Sequence, residues 1–163
     1  MPGVGKSTIG VILAKEIGFS FLDSDLLIQD KYKKKLSAII AERGIDGFLK
    51  AEEEVNASIE ARRTVIATGG SVVYSEKAMA HLKEIGTVIY IKSSVETLSR
   101  RLNNLKGRGV VLREGQTLQS LFEERMPLYE KYADIIVDED NCDIEETLDK
   151  IINAYSPILF GDL

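Results

Sequence analysis

The stretch of this chain with the plainest chemistry is Gly3-Val4-Gly5-Lys6-Ser7-Thr8: small residues, then a lysine, then two hydroxyls. Small residues let successive backbone N–H groups curl round the phosphates of a nucleotide. Lys6 can bridge the outer phosphates, and the Ser7 hydroxyl can ligate magnesium. The full pattern G-x-x-x-x-G-K-[ST] needs a first glycine five positions before Gly5, and that position falls just ahead of Met1. Residues 9–17 read as a helix whose N-terminal dipole points at the same anion. The expectation is ATP and Mg2+ on a phosphate loop formed by Gly3, Val4, Gly5, Lys6, Ser7 and Thr8, with the strand that should carry it missing.

Asp23 and Asp25, in Asp23-Ser24-Asp25, make the second group with chemistry. In a phosphoryl transferase one carboxylate helps hold the magnesium shell while the other accepts a hydrogen bond from the attacking hydroxyl. Spacing of two puts both on one side of an extended strand, and a turn at the strand end separates their roles. Asp-Ser-Asp is common in turns and caps. Its place after a phosphate loop and helix is what raises it to a site.

Other reactive residues read as structural. His81, the single histidine, sits mid-helix with no catalytic partner in view. Glu52-Glu53-Glu54 reads as a solvated helical face, with the partial exception of Glu52, which a family resemblance sets apart; Lys33-Lys34-Lys35 reads as a solvated turn, and Arg62-Arg63 as charges at a helix C-terminus. Cys142 is the one cysteine, which excludes an internal disulfide and fits a reducing compartment.

The elements that must position these groups alternate along the chain. β-Branched runs at 19–22, 64–68, 87–91 and 134–137 read as strands. Helices are expected at 36–43, 48–63, 75–84, and from about 95 and 144. Ser75 can cap one of them, and Asp143 with Glu146 makes a capping-box pattern. This is the pattern of an α/β parallel sheet with crossover helices, in which ligands sit at the carboxyl ends of the strands. Residues 107–115, polar and glycine-punctuated with Arg108 and Arg113, read as a lid loop. A chain of 163 residues suits one domain. Net charge of -5 argues against nucleic acid as partner, and no apolar run is long enough to span a membrane. With no signal peptide, the chain is expected to be cytoplasmic and a monomer.

On these motifs the chain resembles the shikimate kinase family of P-loop small-molecule kinases, from Gly3 to about Val137. The resemblance implies a P-loop NTPase-type parallel sheet flanked by helices. It implies transfer of the ATP γ-phosphate to a hydroxyl of a small metabolite. It places Asp23 near magnesium and Asp25 on a substrate hydroxyl as the base. Ala67-Thr68-Gly69-Gly70 matches the glycine turn that approaches the substrate. Arg108 matches the lid arginine that reaches the transferring phosphate, and Arg101 matches one that packs on the adenine. Arg125, in Glu124-Arg125-Met126-Pro127-Leu128-Tyr129, matches the arginine that grips the substrate carboxylate.

The departures cluster on the acceptor side. Where the family carries Phe-Arg-x-x-Glu, with an arginine that is the second clamp on the carboxylate and is braced by the glutamate, this chain has Phe48-Leu49-Lys50-Ala51-Glu52. The third residue of the glycine triplet is Ser71, and the lid reads Arg108-Gly109-Val110-Val111 in place of Arg-Pro-Leu-Leu. A working kinase is expected, for shikimate or for a polyol or sugar-like acceptor with fewer negative groups. The alternatives are a catalytically impaired nucleotide-binding module and, more weakly, a nucleoside monophosphate kinase. For the missing strand, one expectation is that the protein starts several residues earlier. Another is that the apolar run at 157–160 fills the vacant place.

Overall fold

The computed structural model describes residues 1, 3–103 and 112–160. Its elements are α1 (Lys6–Ile17), β1 (Ser20–Asp23), α2 (Ser24–Tyr32), α3 (Leu36–Asn56), β2 (Thr64–Ala67), a 3-10 turn (Val72–Tyr74) and α4 (Glu76–Ile85). They continue with β3 (Ile89–Lys92), α5 (Val95–Asn103), α6 (Leu118–Tyr132), β4 (Ile135–Asp138) and α7 (Ile144–Phe160). The four strands fall on the four β-branched runs. The expected caps form too: the Ser75 hydroxyl accepts from the Ala78 amide at 3.0 Å, and Asp143 and Glu146 exchange bonds of 2.9 and 2.8 Å.

Three expectations need correction. The helix expected to run to Arg63 ends at Asn56, and Gly44 (φ 69°, ψ 178°) breaks it from the turns before it. Residues 57–63 thus lie outside any helix, so Arg62 and Arg63 do not serve a helix C-terminus; the Arg63 carbonyl instead accepts from Ser20 N–H at 2.9 Å. Helix α2 was not expected, because Leu26, Leu27 and Ile28 form a run rather than a stripe; Leu26 is 62% exposed while Ile28 is fully buried. Last, residues 157–160 continue α7 and do not enter the sheet.

The sheet comes in two halves. β1 pairs with β2 in parallel from Ser20↔Thr64 to Asp23↔Ala67, and β3 pairs with β4 from Ile89↔Ile135 to Lys92↔Asp138. No ladder joins the halves among the described residues. Between β2 and β3 lies a cavity of about 580 Å³, lined by Gly10, Val65, Ile66, Ile89, Tyr90 and Ile151 among others. This is where the strand expected to carry the phosphate loop would lie.

Apolar layers cover both halves. Ile9 and Leu13 of α1 meet Val137 of β4 and Leu148 and Ile151 of α7. A separate cluster of Ile28, Ile39, Phe48 and Val55 joins α2 to α3. The central cluster includes Val72, Met79, Tyr90, Leu98, Leu121 and Tyr129. No helix among the described residues is long and apolar enough to cross a membrane.

Candidate active site

Gly3 (φ 83°) and Gly5 (φ 82°) both adopt left-handed backbone, which a side chain would strain. Gly5 caps α1 with no side-chain bond, and the helix ladder begins at Ile9 N–H to Gly5 O, 3.0 Å. The amides of Lys6, Ser7 and Thr8 therefore stand at an open helix end, with no acidic residue in the first turn. The sequence-predicted loop has the shape of an anion cradle. Lys6 Nζ donates to the Met1 carbonyl at 2.8 Å. Burial pushes its ammonium pKa down, while the carboxylates of Asp25, Asp23 and Glu52 work against that shift.

The two aspartates have separate roles, because α2 begins between them. Asp23 is the N-cap: its Oδ1 accepts from the Asp25 amide at 2.9 Å, and its Oδ2 accepts from Ser7 Oγ at 3.0 Å. Asp23 thus joins the phosphate loop. Asp25, one turn of chain later, faces the glycine turn instead. Burial pushes its pKa up, Asp23 adds to the rise, and Lys6 opposes it. Its Oδ1 is buried without a hydrogen-bond partner among the described residues.

A side chain at Gly69 or Gly70 would crowd the charged groups around the turn. A Cβ on Gly69 would lie 2.5 Å from Glu52 Oε1 and 3.0 Å from Asp25 Oδ1. One on Gly70 would lie 3.0 Å from Arg125 Nη1 and 3.2 Å from the Tyr129 hydroxyl, which donates to the Gly70 carbonyl at 2.7 Å. The turn therefore brings Asp25, Glu52 and Arg125 to one place. Arg125 is only 3% exposed, yet no carboxylate among the described residues pairs with it. A buried guanidinium in that condition is costly unless an anion arrives.

The departures from the family pattern have structural counterparts. Leu49 packs beside the Ile28, Ile39, Phe48 and Val55 cluster, and Lys50 is exposed, so neither reaches the turn. Glu52 is 1% exposed, in keeping with its being the exception in an otherwise solvated acidic run. In place of an arginine it has Ser71, whose Oγ donates to Glu52 Oε2 at 2.5 Å. Burial pushes the Glu52 carboxyl up to about 7, against the pull of the Ser71 bond, and Asp25 pushes the same way as burial.

Arg101 reaches the phosphate loop from α5. Its Nη1 donates to the Gly3 carbonyl at 3.3 Å, to the Val4 carbonyl at 3.5 Å and to Glu139 Oε1 at 2.7 Å. Gly3, Val4, Thr8, Arg101, Glu139 and Cys142 line a second cavity of about 360 Å³ beside the loop. Sequence reasoning missed Glu139, Tyr74 and the Ser71–Glu52 bond. Only the position of Glu139 just past a strand end pointed that way. His81 has the structural place expected of it, Nε2 lying 2.7 Å from the Ile59 carbonyl. Arg108 and the expected lid as far as residue 111 lie outside the described residues; Arg113 pairs with Asp46 at 3.3 Å.

Comparison with known proteins agrees along nearly the whole chain. The family model described as shikimate kinase matches residues 2–156. Shikimate kinase of Thermodesulfovibrio yellowstonii is 35% identical over 162 residues, covering 98% of this chain and 93% of that one. That of Dictyoglomus turgidum is 38% identical over 155 residues, covering 92% and 90%. Among solved structures, shikimate kinase from Acinetobacter baumannii in complex with shikimate superposes with a TM-score of 0.85 at 29% identity, covering 97% and 90%. The enzyme from Aquifex aeolicus gives 0.83 at 30% identity, covering 99% and 95%. The chain belongs to the shikimate kinase family and is an ATP-dependent phosphotransferase acting on a hydroxyl.

Proposed function

We propose that the acceptor is shikimate, held by Arg125 through its carboxylate and by Asp25 through the hydroxyl to be phosphorylated. The observation that carries this reading is the buried, carboxylate-free guanidinium of Arg125, placed on the same glycine turn as Asp25. A ligand with an anionic group at one end and hydroxyls at the other satisfies both. The buried carboxylate of Glu52 and the half-buried one of Asp25, against the single buried cation Arg125, favour this arrangement over a second phosphorylated substrate.

In the proposed reaction Asp25 accepts the proton of the acceptor hydroxyl, whose oxygen attacks the γ-phosphorus as the bond to the β–γ bridging oxygen breaks. Lys6 and the open amides of α1 hold the phosphates, and Arg108 supplies positive charge to the group in transfer. Arg101 and its cavity accommodate the base. Ser7 Oγ and Asp23 lie 3.0 Å apart, hard oxygen donors next to the phosphate cradle, and this fits magnesium. Bound there, magnesium neutralises charge on the phosphate oxygens.

ADP release with shikimate and with neutral polyols tests the reading. Shikimate-dependent turnover that Lys6→Ala abolishes is the expected result. Nucleotide binding without turnover on any acceptor would favour a nucleotide-binding module instead. A second acceptor class has one observation in its favour: with Leu49 turned away, the site holds a single arginine, so a less anionic polyol turned over faster than shikimate would replace shikimate in this reading.

A further inference from the structure

Arg125 has to be aimed as well as buried. Two tyrosines reach it: Tyr129, whose hydroxyl lies against the guanidinium beside Gly70, and Tyr74, in the 3-10 turn after the glycines, which takes its Nε–H. Arg125 Nε–H donates to the Tyr74 hydroxyl at 3.2 Å, and the guanidinium carbon stands 5.2 Å from the centre of the Tyr74 ring. The Tyr74 hydroxyl donates in turn to Glu124 Oε1, and Glu124 Oε2 accepts from Gln116 Nε2 at 3.2 Å. A tyrosine hydroxyl has one proton, so with it committed to Glu124 the oxygen faces Arg125 as an acceptor. The ring offers its negative face to the same cation.

We propose that Tyr74 is the positioning residue for Arg125, fixing which edge of the guanidinium meets the acceptor carboxylate. With Nε–H taken by Tyr74, the side-on fork of Nε and Nη2 is closed, which leaves the end-on fork of Nη1 and Nη2 for the acceptor carboxylate. Nη1 already points at the glycine turn, 3.0 Å from where a Cβ on Gly70 would lie. A clamp of two arginines defines the carboxylate plane from two sides. A clamp of one needs its own orientation fixed, and the Gln116–Glu124–Tyr74 chain does this from outside the pocket. The proposal rests on the reading of Arg125 as the carboxylate anchor.

The test compares Tyr74→Phe, which keeps the ring and loses the bond, with Tyr74→Leu, which loses both. Glu124→Gln weakens the onward bond without touching the ring. For each, kinetics are measured with shikimate and with its methyl ester, alongside thermal melting and the Arg125 Nε–H resonance in 15N NMR. Loss of a hydrogen bond to a charged group corresponds to about tenfold. Tyr74→Phe is therefore expected to raise KM for the acid about tenfold with kcat little changed, to leave KM for the ester unchanged, and to abolish protection of the Nε–H. Glu124→Gln should do the same more weakly, and Tyr74→Leu more strongly. A purely structural tyrosine would lower the melting temperature and affect acid and ester alike, which would overturn the proposal. So would unchanged Nε–H protection in Tyr74→Phe. If Arg125→Lys also leaves the preference for acid over ester intact, the anchor reading falls and this proposal falls with it.

Discussion

Glu52 carries the residue-scale consequence of losing an arginine. Its unfolded-state pKa is near 4.5, and burial pushes the folded value to about 7. Between these values the folded chain binds more protons than the unfolded one, so this group's contribution to stability is full below about 4.5 and is lost as pH rises through about 7. The span corresponds to at most about 3 kcal/mol, at 1.36 kcal/mol per pH unit. Urea melts of the wild type are expected to lose stability across this window, while Glu52→Gln shows a flatter profile. Parallel profiles would mean that Glu52 titrates in its ordinary range. The same residue explains the glycine opposite, since Gly69→Ala would drive a methyl into Glu52 Oε1 and is expected to abolish acceptor binding while ATP binding persists. Of the proposed site residues, Lys6, Ser7, Asp23 and Asp25 belong to local patterns of fixed spacing, and Arg125 was reached through the family resemblance. Ser71 with Glu52, 19 positions apart, was not legible in the sequence. Nothing local announces a bond between the end of one helix and a turn two elements later.

At the scale of elements, the strands were legible because β-branched runs are short and continuous, and α2 was not because its buried face is one isoleucine wide. Two contacts set how elements dock. The Ser75 hydroxyl both caps α4 and donates to Glu53 Oε2 on α3 at 2.5 Å. Ser75→Ala is expected to cost about 1–2 kcal/mol in a denaturant melt, more than a cap alone. Gly10 lets α1 lie flat on β1: a Cβ there would be 2.8 Å from the Phe21 ring. Gly10→Ala is expected to destabilise by about 1–3 kcal/mol, and Phe21→Leu in the same chain should recover part of the loss. No recovery would mean that the helix is held off the strand by something else.

For the whole molecule, the determining feature is the gap between β2 and β3. Parallel sheets are ordinarily covered by helices on both faces, with their interior strands paired on both sides. Here each half of the sheet is a two-stranded ladder, and the cavity between them meets the phosphate loop at Met1. An engineered chain carrying five alternating valines and isoleucines ahead of Met1 is expected to unfold at higher denaturant and to bind ATP more tightly. The same extension with a central proline should do neither, because it cannot complete both ladders. Equal midpoints for the two extensions would show that the gap does not accept a strand.

The gap also bears on how the protein behaves in a tube. Among the described residues no ladder joins β2 to β3, and their facing edges, bordered by valine and isoleucine, are a template for an extended chain that can reach them. The soluble fraction should therefore fall as protein concentration rises, well below the melting temperature, and light scattering at fixed temperature should rise with concentration rather than with time of heating. Saturating ATP, by holding the loop at the mouth of the gap, should slow that loss.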